Sequence, residues 1–393
     1  MEHFLLDTGS IEKYIREKIE FFEPNERLEI SEIGDGNINY VFKIKGIDSK
    51  KSLVIKQADK LLRSSGRPLD LHRNKIEAEI LKIQYKLSDK MVPEIYFYDE
   101  DMAALFMEDI SSYKNLRKEL MDYKIFPKLG EDIAKFMVDT MLPTTDLVMD
   151  RAIKKENVKL FTNPDLCDIS EDLVFTEPYY DYKNRNIIRK GNLEFVEEKL
   201  YQDEELHCEI AHLRNNFMNN SQALIHGDLH SGSIFINSDG LKVIDPEFAF
   251  YGPMGYDIGN VIGNLIFSLI YSKYTENREE FNEFLKGCIR DIFDNFKKYY
   301  HIKYKKIVKM PLYRVKRFKE EYLDAIMADA LGYAGTEIIR RTVGDSKVAE
   351  VTSEKIKDGI QMDRELIEIG IHLIKNRKNI KSGNDLIKMD GVN

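Results

Sequence analysis

Between Ser10 and Phe22, apolar residues recur at three- and four-residue intervals, with Ile11, Tyr14, Ile15 and Ile19 on one side. That spacing predicts an amphipathic helix, which Pro24 stops. The period then shortens. Leu28 to Ile33 and Tyr40 to Ile44 read as strands around a glycine turn, Gly34-Asp35-Gly36, and Leu53-Val54-Ile55-Lys56 as a strand ending on a lysine. Helical spacing returns from Leu69 to Leu87, carried by Leu71, Ile76, Ile80, Leu81 and Leu87. Val92 to Tyr98 and Ala103 to Met107 are two further strands around an Asp-Glu-Asp turn.

Beyond residue 107 the pattern is mainly helical. Phe126 to Met141 carries Leu129, Ile133, Phe136 and Met137 at helix spacing, and another helix is predicted from Leu193 to Phe217. Between them lies a polar stretch, Lys154 to Tyr182, that reads as turn-rich at Asn163–Cys167 and Thr176–Tyr180. Gly259 to Tyr274 is apolar nearly all round, hence buried, and Phe281 to Phe296 is amphipathic. Lys297 to Lys306 mixes cations with aromatics and reads as a solvated helix end. Glu320 to Val343 is rich in Ala and Gly, which suits close packing, and Gly344 closes it after two arginines. From Lys375 the chain is basic and polar, a helix end followed by a disordered terminus.

Length and composition narrow the class. A chain of 393 residues exceeds one ordinary core, so two lobes are expected. Hydrophobic content of 43% and charged content of 32% are ordinary for a globular protein. A net charge of −9 argues against nucleic acid as a partner. Cys167, Cys208 and Cys288 are odd in number and widely spaced, which points to a reducing compartment. The first ten residues, MEHFLLDTGS, lack the basic start of a secretory signal, and the apolar stretch Val261 to Tyr271 is too short to span a bilayer. A cytoplasmic protein with no membrane partner is expected.

The candidate chemistry is concentrated between Ala223 and Gly259. Asp228 sits in a tight His226-Gly227-Asp228-Leu229-His230 turn, and Asp245 and Glu247 follow the apolar run Leu241 to Ile244. Phosphoryl transfer needs a carboxylate on the acceptor hydroxyl and hard oxygen donors for the metal that neutralises the phosphates. Asp228 suits the first task. Asp245 and Glu247 suit the second, since side chains two apart in an extended segment point the same way, and two carboxylates can seat Mg2+. The segment between, SIFINSDGLKVID, reads as a hairpin that would bring Asp228 and Asp245 to one end. Asp257 reads first as a helix N-cap, and His226 and His230 as buried hydrogen-bond partners, because no third His or Cys stands nearby.

HGDLHSGS followed by IDPEFAFYGPMGYDIG resembles the catalytic and metal segments of the 5-methylthioribose kinases, within the aminoglycoside-phosphotransferase and choline-kinase group. Two departures from the wider group support that placing: Ser233 stands where many relatives have Asn, and Asp245-Pro246-Glu247 replaces Asp-Phe-Gly. The resemblance implies an α+β, two-lobed protein-kinase-like fold, with a small antiparallel-sheet lobe (1–107) and a large helical lobe (108–393). It implies that Asn39, Lys56, Glu77, the link Glu108-Asp109-Ile110, and Asp245-Pro246-Glu247 meet ATP, with Asp245 and Glu247 on Mg2+. Glu79 remains the alternative partner of Lys56. Asp228 is implied as the base, and Arg340 and Arg341 of GYAGTEIIRRTVG as the residues on the sugar, the carboxylates of 228, 245 and 247 converging. The implied reaction is transfer from ATP to the anomeric hydroxyl of 5-methylthioribose in methionine salvage, by a homodimer. The missing tryptophan departs from the family pattern near the lysine. Two alternatives stay open: a kinase of the same fold acting on homoserine, choline or an aminoglycoside, and a regulatory pseudokinase.

Overall fold

Alternation of apolar with charged residues between positions 28 and 57 produces the antiparallel meander it predicts, in a computed structural model that describes residues 3–33, 39–60 and 70–393. The glycine turn and the start of the second predicted helix lie outside the described residues. The chain divides into two compact units, Met1–Tyr113 with Lys242–Phe248, and Lys114–Leu241 with Ala249–Asn393.

In the first unit, α1 (Ile11–Lys18) buries Ile11, Tyr14 and Ile15. It ends at Lys18, where Ile19 turns extended, well before the proline expected to stop it. Strands β1 (Leu28–Glu32), β2 (Tyr40–Gly46) and β3 (Ser52–Gln57) precede α2 (His72–Leu87), and β4 (Ile95–Asp99) and β5 (Ala104–Glu108) follow it. The sheet order is β1-β2-β3-β5-β4, antiparallel throughout. Period two sorts the side chains: Phe42, Ile44, Leu53, Ile55 and Phe106 join α1 in one core. Lys56 points from the opposite face to Ile55, opposite Leu105 in register.

The second unit is mainly helical. It contains β6 (Lys114–Asn115), α3 (Leu116–Met121), α4 (Leu129–Met141), α5 (Arg151–Leu160), α6 (Pro164–Phe175), α7 (Glu177–Tyr180), α8 (Leu193–Val196) and α9 (Glu204–Asn219). The short strands β7 (Ala223–Ile225), β8 (Ile234–Asn237), β9 (Gly240–Val243) and β10 (Phe250–Gly252) follow, with β6 paired to β8 and β7 to β10. The last residues of β9 belong to the first unit. The remaining helices are α10 (Met254–Tyr274), α11 (Glu279–Ile307), α12 (Lys316–Val343), α13 (Ala349–Thr352), α14 (Gly359–Asn376) and α15 (Gly383–Ile387).

Three expectations are corrected here, and one is met. The stretch expected to be turn-rich is helical, because Pro164 and Pro178 fall in the first turns of α6 and α7, where a missing N–H is harmless. The helix expected from Leu193 to Phe217 is broken, and Asp203 restarts it by accepting a hydrogen bond from the Leu206 N–H. Gly344 closes α12 as expected, at φ −74°, its N–H donating to the Arg340 carbonyl. The C-terminal tail is packed: Leu386, Met389 and Val392 are buried, and Lys273 Nζ donates to the carbonyls of Gly391 and Asn393.

The seam that positions the chemistry runs between α10 and α12. Gly255, Gly259 and Gly263 recur every four residues on α10, and a Cβ on Gly259 would stand 2.3 Å from the Ala330 carbonyl oxygen. Side chains on the two helices therefore meet at short range, among them Asn264 and Glu337, 3.1 Å apart. Among the described residues no helix is long and apolar enough to cross a membrane.

Candidate active site

The predicted site residues fall into two groups, one in each unit. In the first, Lys56 is 4% exposed and donates to Glu77 Oε1 at 2.9 Å and to Asp245 Oδ1 at 2.6 Å. Glu79, the alternative, meets Lys82 at 2.8 Å instead. Burial opposes the charge on Lys56, but Asp245, Glu77 and Glu247 outweigh it and raise its pKa above the ordinary ammonium value. Burial pushes the Glu77 carboxyl up to about 7, against the pull of Lys56.

Asp245 and Glu247 are not on an extended segment. Asp245 has φ +62°, a left-handed conformation that Asp tolerates better than most residues, and Pro246–Phe248 forms a 3-10 turn. The two carboxylates therefore have unequal surroundings. The Asp245 side chain is 49% exposed and that of Glu247 8%. Glu247 Oε2 accepts from Asn39 Nδ2 at 3.3 Å and lies 3.6 Å from Arg73 Nε. Arg73, in the first turn of α2, also donates to Asn39 Oδ1 at 3.2 Å. Nothing in the sequence singled out Arg73, since a cation in a helix's first turn reads as solvated. In the link, Glu108 accepts from Lys242 at 2.7 Å, Asp109 pairs with Lys43 at 2.9 Å, and Ile110 follows half-buried.

In the second unit, Asp228 follows β7 in a turn built from its own neighbours. Its N–H donates to His226 Nδ1 at 3.3 Å. Ser233 Oγ accepts from the His230 N–H at 3.0 Å and donates to the Asp228 carbonyl at 3.2 Å. His230 Nδ1 accepts from the N–H groups of Gly232 and Ser233, and its Nε2 lies 3.4 Å from Asp228 Oδ2. Both histidines act as hydrogen-bond partners, as their sequence setting implies. Asp257 is not a cap. Pro253 occupies that position, and the buried Asp257 carboxylate accepts from the N–H groups of His226 at 2.7 Å and Gly227 at 3.0 Å. Gly227 has φ +81°, so this clamp holds a backbone shape that a side chain would strain.

Arg340 Nη2 and Arg341 Nη2 each lie 3.6 Å from Asp228 Oδ1. Glu337, fully buried one turn earlier on α12, accepts from Arg340 Nε, from Arg341 Nε at 3.1 Å and from Asn264 Nδ2 at 3.1 Å. Burial would raise the Asp228 pKa, but His230, Arg341 and Arg340 outweigh it and hold the carboxyl far below its usual range. Burial also works against the Glu337 charge, and the two arginines still bring that carboxyl down to about 2. Glu337 was missed in the sequence, although its spacing of three and four from Arg340 and Arg341 is the one that lets helix side chains pair. Leu173 and Glu177, from the stretch given no chemical role, line a small cleft together with Arg340.

One group thus holds a buried lysine between carboxylates, two of them hard donors from one turn. The other holds a carboxylate on a rigid turn, faced by two guanidiniums. Residues 165–282 match the phosphotransferase enzyme family APH. Over nearly its whole length the chain is similar to proteins named methylthioribose kinase. It is 35% identical over 385 residues to that of Geobacillus sp. (strain WCH70), covering 97% of this chain and 94% of the relative. It is 34% identical over 388 residues to that of Bacillus pumilus (strain SAFR-032), covering 98% and 96%. It is 37% identical over 371 residues to that of Exiguobacterium sibiricum, covering 93% and 92%. Among solved structures, choline kinase from Cryptosporidium parvum Iowa II is similar at 17% identity, with a TM-score of 0.49 over 94% of this chain and 99% of that one.

Proposed function

This chain belongs to the methylthioribose kinase family, and from that premise we propose that it transfers the γ-phosphoryl group of ATP to the anomeric C1 hydroxyl of 5-methylthioribose, in methionine salvage. The observation that carries the acceptor side is the pair Arg340 and Arg341, fixed by Glu337 and turned on Asp228. Guanidiniums suit neutral hydroxyls and a phosphoryl group in transfer, and disfavour a cationic acceptor such as choline or an aminoglycoside. Lys56, Glu77, Asp228 and Asp245 are all present, as a working kinase requires and a pseudokinase does not.

In this proposal residues 1–107 carry the nucleotide role and 108–393 the acceptor and catalytic roles, with the segment Lys242–Phe248 packing into the first compact unit. Lys56, oriented by Glu77, binds the α and β phosphates, and Asn39 steadies Glu247 beside them. Backbone groups of Glu108, Asp109 and Ile110 meet the adenine edge, while the side chains of Glu108 and Asp109 are engaged by Lys242 and Lys43. Asp228 orients the acceptor hydroxyl and takes its proton as the bond to phosphorus forms. Arg340 and Arg341 hold the sugar and balance charge on the moving group.

Asp245 and Glu247 fit Mg2+ as hard oxygen donors, and that ion prefers one or two carboxylates with phosphate and water. When bound it would supply charge neutralisation on the phosphates. We assign the protein to the cytoplasm, supported by three free cysteines, and to a homodimer, as the family resemblance implies.

Measuring ADP release with methylthioribose, homoserine and choline side by side tests the reading. Turnover confined to methylthioribose supports it, and preference for either other acceptor, or release with none, refutes it. Asp228→Asn retaining near-normal turnover would remove Asp228 as the base.

A further inference from the structure

Glu350 is the anomaly of the second unit. It sits on the one-turn helix α13, is 0% exposed, and among the described residues neither of its carboxylate oxygens accepts a hydrogen bond from another residue, while burial raises its pKa against the pull of Arg117. A buried carboxylate left in that state is costly unless its charge acts on a neighbour. The neighbour is Arg117 on α3, whose Nε lies 3.4 Å from Glu350 Oε2.

Arg117 is itself tied to the neighbouring elements. Its backbone N–H donates to the Ser231 carbonyl at 3.1 Å and its Nε to Ser231 Oγ at 3.2 Å. Its Nη2 donates to Asn264 Oδ1 at 2.6 Å. Asn264 is an amide, so its two ends are not equivalent. With Oδ1 taken by Arg117 and by the Ser231 hydroxyl at 3.3 Å, only Nδ2 is left to face α12. There it donates to Glu337 Oε1 at 3.1 Å, and on its own helix to the Asn260 carbonyl at 2.9 Å. Were the amide reversed, an oxygen would confront the Glu337 carboxylate. Arg117 and Ser231, on the oxygen side, thus hold Asn264 in the orientation that meets the residue holding both acceptor-site arginines.

Charge gives Glu350 its part. Asp228, Glu337 and Glu350 face Arg117, Arg340 and Arg341, so the ionised set is balanced with Glu350 and carries one surplus positive charge without it.

We propose that Arg117 and Glu350 are positioning residues of the acceptor site: Arg117 orients Asn264 toward Glu337 and so sets the splay of Arg340 and Arg341, while Glu350 balances the charge Arg117 brings in. The inference rests on the acceptor role proposed above for the two arginines. Neither Arg117 nor Glu350 is among the residues proposed above to meet the acceptor.

The test uses the full chain carrying Arg117→Met, Arg117→Lys, Glu350→Gln, and the Met and Gln changes together. Michaelis constants for methylthioribose and for ATP are measured with the melting temperature of each variant, and the binding of inorganic phosphate is followed by calorimetry. Arg117→Met is expected to raise KM for methylthioribose about tenfold, the scale of one hydrogen bond to a charged group, and to leave KM for ATP within about twofold. Arg117→Lys, which keeps the charge and loses the fork, should raise the acceptor KM and leave phosphate affinity unchanged. Glu350→Gln should bind phosphate several-fold more tightly than wild type, and the double variant should not. Equal shifts in both Michaelis constants, or a lowered melting temperature with both unchanged, would reduce Arg117 to a structural tie and overturn the proposal. Unchanged phosphate affinity in Glu350→Gln would overturn the part given to Glu350. If wild type does not turn over methylthioribose, the acceptor reading fails, and the phosphate titrations still decide the charge balance.

Discussion

Asp257 separates two physical accounts of the same residue. As a cap it would satisfy the start of α10, and Ser would replace it at a cost of a few tenths of a kcal/mol. As a clamp it holds the N–H groups of both His226 and Gly227, at 2.7 and 3.0 Å, and so fixes the turn that presents Asp228. A hydrogen bond to a charged group contributes about 1.5–3 kcal/mol. Asp257→Asn keeps one acceptor and turns an amide NH2 toward the other N–H, losing one bond and burying a donor without a partner. That costs about 2–4 kcal/mol. Asp257→Ser, too short to span both amides, should cost at least as much. At about 2–4 °C per kcal/mol for a unit of this size, the midpoint falls by about 5–15 °C. Turnover should fall about a hundredfold, because the base proposed at Asp228, moved by about 1 Å, would lose its alignment with the acceptor. Thermal unfolding by circular dichroism gives the first quantity. ADP production, assayed well below each variant's midpoint, gives the second. A Ser variant with an unchanged midpoint and wild-type turnover would refute the clamp.

Three other outcomes are expected. Glu77→Gln should lower kcat more than about tenfold, since it strips the buried partner of Lys56, while Glu79→Gln, whose carboxylate meets Lys82 at 2.8 Å, should stay within about twofold; steady-state kinetics with ATP varied decides between them. Glu337 titrates lower folded, at about 2, than unfolded, so its contribution to stability is present above the unfolded pKa near 4.3 and is lost as pH falls from about 4.5 to about 2; urea midpoints across that window should fall more steeply for wild type than for Glu337→Gln. Gly259→Ala should destabilise by about 3 kcal/mol through the 2.3 Å approach to the Ala330 carbonyl, whereas Gly287→Ala on α11, with nothing nearer than 3.9 Å, should be neutral or stabilise by up to about 1 kcal/mol; chemical unfolding of the pair measures both.

Whatever a local period or a fixed spacing encodes was legible in the sequence. The β1–β3 meander, the apolar core of α10 and the small-residue face of α12 follow from side-chain size and alternation, which tertiary structure preserves. Elements whose boundaries depend on a single cap or proline were misjudged. Pro164 and Pro178 look like turn residues in a polar stretch, yet at a helix's first turn they are its beginning. The packed tail was hidden for a different reason: Leu386, Met389 and Val392 are buried against elements distant in sequence, and three isolated apolar residues carry no period. In the candidate site, Lys56, Glu77, Arg340 and Arg341 were assigned chemistry through the family resemblance, while Asp228, Asp245 and Glu247 stood out because their spacing is uncommon. Those that hold them, Asp257, Glu337, Asn264 and Arg73, did not. A buried acid that accepts two backbone N–H groups from a turn some thirty residues away has the same local sequence as a cap.

Asp245 and Glu247 share one turn rather than the pleated segment their spacing implied, and the difference separates their roles. On a pleated segment the two carboxylates would be interchangeable. On the turn, Asp245 is half-exposed and accepts from Lys56, while Glu247 is buried between Asn39 and Arg73. With every group ionised, the first unit's cluster sets Glu77, Asp245 and Glu247 against Lys56 and Arg73, leaving one surplus negative charge. The second unit's inner cluster sets Asp228 and Glu337 against Arg340 and Arg341, leaving none. Surplus carboxylate suits a hard dication bridging phosphates. That surplus agrees with the metal role proposed for the first unit. In the proposed metal site the burden would fall unequally: Asp245, half-exposed, would be the carboxylate able to leave Lys56 for the ion, and Glu247, held by Asn39 and Arg73, would keep its place.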